Sequence, residues 1–458
     1  MTTVRQHSVA ILGSGESGMG AVRLAVKNGM VCMLSDFGSI KDQDKNELVS
    51  LNVAFEEQGH TFERLAEFDE IVKSPGIPNA APVIQFLKEK GIPVISEIEF
   101  ASRFTNAMLI GITGSNGKTT TTLLTTHLLK SGGLDVVSAG NVGNSLSNAL
   151  IEGDHDYIVV ELSSFQLDDI KDFKVSIGVI LNITPDHMDR YEHSMDKYAD
   201  AKFNLTKNMS PEDLFIYNAD DPVVTSRTES IPARLQTISG HSKSTSGAYY
   251  DEGHLVLENE TDIQLLTTSE LPLLGRHNHY NQMAASLVAM EVGLSFQAIY
   301  QGLITFKNAP HRMEIVDEIQ KVIFINDSKA TNVDSVFYAL EAIDKEIIWI
   351  AGGVNKGNDY SQIKSLIIQK VKAMVCLGTD NAHLINEFGK DLDSYVEVSN
   401  AEMAVAEAYL RAEEGDVILL SPACASFDLF KSYEDRGDQF KKAVKELKEA
   451  EKKELAKA

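Results

Sequence analysis

Short apolar runs alternate with longer mixed stretches along most of the chain, and many of the runs end in glycine-rich or polar loops. That pattern predicts buried parallel strands, each followed by a helix. Residues 8–12 read as the first strand, followed by the loop GSGESG at 13–18, a helix through about Asn28, and a second strand over 31–36. Residues 71–78 join a strand to a rigid Pro-Gly turn. Residues 108–112 form a strand that passes through TGSNGKTT, 113–120, into a helix over 121–130. Further strands are expected over 157–160, 176–181 and 214–217. Between about 230 and 268 the chain turns polar with short alternating runs, which predicts a small antiparallel excursion. A third series of strands follows over 322–325, 347–351, 373–377 and 417–420. After Phe440 the chain is rich in Lys and Glu, with Ala and Leu at helical spacing, and reads as a frayed surface helix.

At 458 residues the length fits roughly three domains. The pattern restarts near 104–107 and again near 308–310, so the expected domains are 1–107, 108–309 and 310–458, the last with a charged helical tail. The fold class is therefore α/β: a Rossmann-like first domain, a central phosphate-loop sheet with the antiparallel excursion, and a Rossmann-like third domain. No apolar run reaches the roughly 18 residues needed to span a bilayer, and there is no signal-peptide pattern. Cys32, Cys376 and Cys424 form neither a metal-like spacing nor an even disulfide framework, and these points together favour a reducing cytoplasm and no membrane insertion. A net charge of −24 argues against non-specific nucleic-acid binding. An enzyme that handles anions on such a background must gather its cations locally, and Lys118, Arg312, Lys329 and Lys356 stand near glycine or polar loops.

The loop 113–120 carries the clearest chemistry. A glycine turn between strand and helix points backbone N–H groups at a phosphate, Lys118 reaches the outer phosphates, and the Thr119 hydroxyl suits Mg²⁺. The standard first glycine is absent: Ile112 stands there, with Gly111 before it and Gly114 after. GSGESG with Asp36 beyond the next strand is a dinucleotide-type fingerprint, and Ser74 ends a strand where open parallel sheets bind ligands. Glu161 ends the apolar strand of YIVVELSSFQ, where a carboxylate either coordinates Mg²⁺ or is paired. LNITPDHMDRY places Asp186, His187 and Asp189 after another strand. Asn278 and Asn281 in GRHNHYN either contact a nucleotide or cap the following helix. Arg312 suits bidentate phosphate contact, and Asp327, Lys329 and Thr331 follow a further strand.

Taken in order, GSGESG, SPGIP, TGSNGKTT, GNVG, ELSSFQ, DHMDRY, Lys202, GRHNHYN, PHRME, NDSKATN, GGVNK and SPACASFD closely resemble the Mur ligases, ATP-dependent amide-forming enzymes of peptidoglycan synthesis. The resemblance covers nearly the whole chain. DHMDRY, NDSKATN and SPACASFDLFKSYEDRG resemble most the member that joins D-glutamate to UDP-N-acetylmuramoyl-L-alanine. It implies a monomer of three domains, for the UDP substrate, ATP and the amino acid.

The resemblance also implies residue roles. Gly114, Asn116, Gly117, Lys118, Thr119, Thr120, Asn278, Asn281, Arg312 and Asp327 match ATP contacts. Thr119, Glu161, His187 and Lys202 match the surroundings of two Mg²⁺ ions, with Lys202 carbamylated by CO₂. Lys118, His187, Lys202 and Lys329 match catalytic positions. Ser17, Asp36, Ser74, Asn141, Ser163 and Gln166 match UDP-substrate contacts, and Thr331, Lys356, Ser426, Phe427 and Tyr433 match D-glutamate contacts. One departure stands out: Phe37-Gly38 follows Asp36 where well-known relatives carry Thr-Arg. The rival readings are another Mur ligase, an amide ligase like folylpolyglutamate synthetase, a nicotinamide dehydrogenase, and a nucleotide-switched regulator. The synthetase leaves GSGESG unexplained, and the dehydrogenase leaves TGSNGKTT and NDSKATN unexplained.

Overall fold

The computed structural model describes residues 7–141, 144–186, 188–241, 243, 246–258, 263–273, 275–355 and 357–455. Among these, three sheets follow one another along the chain. The first contains β1 (Ser8–Leu12), β2 (Val31–Ser35), β3 (Ala54–Glu56), β4 (Glu70–Lys73) and β5 (Val94–Ser96), in the order β3-β2-β1-β4-β5. All its pairings are parallel, the doubly wound arrangement that the strand–loop–helix pattern predicted. A parallel strand is buried on both faces, and β1 shows why its sequence is apolar throughout. Val9 and Ile11 pack with the helix Glu16–Lys27, while Ala10 and Leu12 pack with the helix Pro82–Glu89.

The second sheet contains β6 (Met108–Thr113), β7 (Val136–Gly140), β8 (Tyr157–Glu161), β9 (Ile177–Ile180), β10 (Leu214–Asn218), β11 (Arg234–Ser239), β12 (Gly247–Asp251), β13 (His254–Glu258) and β14 (Ile263–Thr267). Their order is β14-β13-β12-β11-β10-β9-β6-β8-β7. The antiparallel excursion is narrower than its sequence suggested. β11 and β12 pair in parallel with the sheet, and only β12-β13-β14 form a meander.

The third sheet contains β15 (Glu314–Ile319), β16 (Val322–Asn326), β17 (Ile347–Gly352), β18 (Val371–Leu377), β19 (Ser394–Val398) and β20 (Val417–Ala423), in the order β15-β16-β20-β17-β18-β19. β15 is its one antiparallel member among the described residues. The segment after Phe440 corrects the sequence reading. It belongs to a helix over Tyr433–Leu455, and Phe440, Ala443 and Val444 are buried with Phe324, Ile348 and Leu420. The charged residues dominate the composition, but an apolar stripe on one face packs the helix onto the sheet.

The chain divides into two compact units: Met1–Pro272 with Tyr280–Phe306, and Leu273–His279 with Lys307–Ala458. In the first unit, one hydrophobic cluster runs from Val9 and Ile11 through Ile98 and Leu146 to Phe215, so the first two sheets share a core. Polar ties reinforce it. Glu97 Oε1 accepts from Ser147 N (2.6 Å), and Glu99 Oε2 accepts from the amides of Lys171, Asp172 and Phe173 (2.9, 3.0 and 2.7 Å). Lys73 pairs with Asp169 at 2.8 Å, both buried. Glu16, in the fingerprint loop, accepts from Ser145 N (2.5 Å) and Asn148 Nδ2 (2.9 Å).

Candidate active site

In the first unit, the phosphate loop leaves β6 at Thr113 and enters the helix Lys118–Ser131 through Gly117, whose φ of +84° favours glycine. A Cβ at Gly117 would also lie 2.5 Å from Asn281 Oδ1. Asn281 Oδ1 in turn accepts from Thr121 Oγ1 (3.0 Å). Ile112, at the missing glycine's position, is a fully buried strand residue. The loop is bracketed instead by Asn182, whose Oδ1 accepts from Asn116 N (2.8 Å) and whose Nδ2 donates to Asn116 O (3.1 Å). Nothing in the sequence pattern singled out Asn182.

Two lysines meet on one backbone carbonyl. Lys118 Nζ donates to Gly114 O (2.8 Å) and Ser115 O (2.7 Å), and Lys202 Nζ donates to Gly114 O (2.8 Å). Lys202 is 1% exposed, with its nitrogen 4.6 Å from the Tyr198 ring centre. Burial, with Lys118 adding to it and Asp186 opposing, holds the Lys202 amine well below the ordinary lysine value. Thr119 and Thr120 are buried at the start of the helix.

Glu161 ends β8 level with Ile112 of β6. Its Oε1 accepts from Asn141 Nδ2 (2.9 Å), while Oε2 is buried with no hydrogen-bond partner among the described residues. An orphaned, buried carboxylate oxygen at a strand end is a fitting hard ligand for Mg²⁺, and the Thr119 hydroxyl at the start of the phosphate-loop helix is of the same hard type. No group of three or more His, Cys, Asp and Glu that could hold a metal occurs among the described residues. His187 lies outside the described residues.

The glycine fingerprint is explained by close approach. A Cβ at Gly18 would lie 1.9 Å from Gly13 O, and one at Gly13 would lie 2.7 Å from Ser74 Oγ. Ser17 is half-buried in the first turn of the helix Glu16–Lys27. Asp36 Oδ2 accepts from Ser14 N (2.5 Å) and Oδ1 from Gly38 N (2.7 Å). Burial pushes this carboxyl up, but the bonds from Ser14 and Gly38 outweigh it and hold it below the usual value. Ser74 Oγ is buried without a hydrogen-bond partner among the described residues. Ser163 and Gln166 form a capping box for the helix Ser164–Leu167, with Gln166 Oε1 accepting from Ser163 N and Oγ (both 3.0 Å).

In the second unit, Asp327 follows β16 and accepts from Ser421 Oγ (2.9 Å) and Met313 N (3.2 Å). Burial pushes it up to about 7, against the opposing pull of Ser421, Met313 and Arg312. Burial, then His279 and Arg312, pushes His277 down to about 4, and burial with Arg276 does the same for His279. The field of Arg312 thus falls on both Asp327 and His277. Asn278 is buried in this unit, whereas Asn281 belongs to the first.

Lys329 Nζ lies 5.3 Å from the Tyr433 ring centre, Thr331 is exposed, Ser426 is buried, and Phe427 is 71% exposed. Lys356 lies outside the described residues. Arg436, which the sequence reading left unassigned, is buried among these loops. It donates to Ser328 Oγ (3.0 Å), Ser328 O (2.9 Å), Cys424 O (3.3 Å) and Gly352 O (3.4 Å), tying together the ends of β16, β20 and β17. Burial lowers it to about 10.

The phosphate loop, a second and buried lysine, and an orphaned carboxylate thus gather at one end of the second sheet. Matches to the Mur ligase MurD-like N-terminal domain over residues 7–96, the Mur ligase middle domain over 112–289 and the Mur ligase glutamate ligase domain over 311–424 account for most of the chain. The chain belongs to the Mur ligase family of ATP-dependent, amide-forming ligases. Among its relatives are proteins named UDP-N-acetylmuramoylalanine–D-glutamate ligase. That of Christiangramia forsetii is 48% identical, that of Bacteroides fragilis 47% and that of Porphyromonas gingivalis 45%, each match covering 96% of this chain and 99% of the relative. Solved structures share the fold. A pseudomurein peptide ligase type C from Methanothermus fervidus has a TM-score of 0.61 at 20% identity, covering 97% of this chain and 100% of that one. A UDP-N-acetylmuramate–alanine ligase from Thermotoga maritima also has a TM-score of 0.61, at 17% identity, covering 96% and 100%.

Proposed function

We propose that this protein joins D-glutamate to UDP-N-acetylmuramoyl-L-alanine at the expense of ATP, in cytoplasmic peptidoglycan precursor synthesis. The observation that carries the reading is the grouping of Lys118, Lys202 and Glu161 about one phosphate loop, in a chain whose relatives at 45–48% identity bear that name. On this reading residues 1–107 hold the UDP substrate, 108–309 hold ATP, and 310–458 hold the amino acid, and the protein acts as a monomer.

The alanyl carboxylate attacks the γ-phosphorus of ATP, releasing ADP and forming an acyl phosphate. The D-glutamate amine then adds to the acyl carbon and loses a proton, and inorganic phosphate leaves the tetrahedral intermediate to give the amide. Lys118 and Arg312 counter the phosphate charge, worth most in a site shielded from water. The helix N-terminus at Gly117 adds its dipole in the same sense. Mg²⁺, when bound, supplies Lewis-acid stabilisation to the transferring phosphoryl group. Thr119 and Glu161 would provide its oxygen ligands, and the family resemblance adds His187 to that set. Lys202 fits carbamylation: a buried amine beside another cation favours its neutral, nucleophilic form, which adds to CO₂ and loses a proton to become an anionic oxygen ligand. Lys329 is a catalytic-site lysine, and Thr331, Lys356, Ser426, Phe427 and Tyr433 hold D-glutamate. Asn278, Asn281 and Asp327 hold the nucleotide. Ser17, Asp36, Ser74, Asn141, Ser163 and Gln166 hold the UDP substrate.

Phosphate release with ATP, UDP-N-acetylmuramoyl-L-alanine and a series of amino acids tests the reading. Activity is expected with D-glutamate. Activity with L-glutamate or another amino acid instead would assign a different ligase. In the same assay Lys202→Ala should be inactive and partly restored by short-chain carboxylates, and full activity without them would remove the carbamate role.

A further inference from the structure

Phe37 directly follows Asp36, and its side chain is 79% exposed. Exposed apolar side chains are ordinary when scattered singly, so exposure alone carries little weight. The position of this one is more telling. In a doubly wound sheet the acidic residue at the end of the second strand takes the ribose, and the base extends beyond it. Asp36 occupies that position, just after β2, and its carboxylate is tied to Ser14 of the glycine fingerprint. The next residues, Phe37, Gly38, Ser39 and Ile40, bring no cation to the rim, only an aromatic ring.

The ring is mounted on a fixed support. Asp36 O accepts from Gly59 N (3.3 Å) and Gly38 O from Gln58 N (2.8 Å), so the backbone on both sides of Phe37 is tied to the following loop. The Phe37 ring leans on His60, with centroids 6.0 Å apart and planes at 42°. Ser35 Oγ donates to Glu56 (2.7 Å), so the 2.6 Å contact between Ser35 Oγ and His60 Nδ1 places the imidazole proton on Nδ1. Burial keeps His60 below its ordinary value, so it supports Phe37 as a neutral ring. Among the described residues, Phe37 and Phe427 are the two phenylalanines among the exposed large apolar side chains, and both stand in loops at strand C-termini.

We infer that Phe37 is a stacking platform for the uracil base, so that the UDP substrate is held here by aromatic contact rather than by a cation after Asp36. This rests on the assignment of residues 1–107 to a UDP substrate. The test uses the full chain and UDP as the probe, with calorimetric titration of the wild type, Phe37→Ala, Phe37→Leu and Phe37→Tyr, and ADP as the control ligand. Base stacking on an aromatic side chain predicts UDP binding roughly tenfold weaker in Phe37→Ala and Phe37→Leu. Phe37→Tyr should stay within about twofold of wild type, since it keeps the ring. ADP binding should be unchanged in all three. Equal UDP affinity in wild type and Phe37→Ala, or equal loss in Phe37→Leu and Phe37→Tyr, would overturn the stacking role. A wild-type chain that binds ADP but not UDP would overturn the assignment of the first domain, and the stacking role with it.

Discussion

At the scale of single residues, the sequence announces groups whose chemistry is unusual in itself, and is silent on groups that act through geometry. Gly117, Lys118 and Glu161 are visible because a positive φ, a cation at a helix start and an acid ending an apolar strand each need a reason. Asn182 and Arg436 are ordinary polar residues by type, and only the fold brings them to the loops they tie. Arg436→Met should destabilise the second unit by about 3 kcal/mol or more, because the carbonyls of Ser328, Cys424 and Gly352 lose a buried donor. Arg436→Lys should recover little, since an ammonium lacks the planar fork that reaches several acceptors at once. Urea unfolding followed by Trp349 fluorescence reports on this unit, because Trp349 is the chain's one tryptophan and is buried in its sheet. A Lys variant as stable as wild type would refute the fork argument.

At the scale of elements, strand starts and helix faces were legible because parallel strands must be apolar on both sides. The short strands β3 and β5 were missed, as three-residue runs leave no periodicity to read, and so were the longer β7, β15 and β19, whose sequences mix polar and apolar residues. The joints between elements were also hidden. Glu97 lies 50 residues from Ser147, the amide it accepts from, and no local pattern links them. Its second oxygen is buried without a hydrogen-bond partner among the described residues, and burial pushes the carboxyl up to about 7 from 4.5. Between those two values the folded state holds a proton that the unfolded chain has released. Stability should therefore fall as pH rises through this window, by on the order of 3 kcal/mol from this group. Glu97→Gln keeps an acceptor for Ser147 and removes the titration. Denaturation at about pH 5 and about pH 8 should show the variant losing less stability than wild type over that range. Parallel losses in both would place the pH dependence elsewhere.

At the scale of the whole molecule, the three α/β sheets were foreseen, but the sharing of a core by the first two was not. The ties through Glu16, Glu97, Glu99 and Lys73 join helix starts and backbone amides that lie far apart in sequence. Calorimetric unfolding should consequently show no separate transition for residues 1–107, which ought to melt together with the central sheet. An isolated low-temperature transition removed by deleting those residues would show that the shared core contributes little. The second unit carries a different consequence, in the order of synthesis. Strands β15–β20 are all translated before the helix Tyr433–Leu455, yet Phe324, Ile348 and Leu420 rely on Phe440 and Val444 to cover them. Until that helix is made, the part of this face formed by β15 and β16 lacks its cover, while the helix Ala401–Tyr409 already packs against β17 and β18. That interval, rather than the folded protein, is where this chain is most exposed to aggregation and most in need of a chaperone.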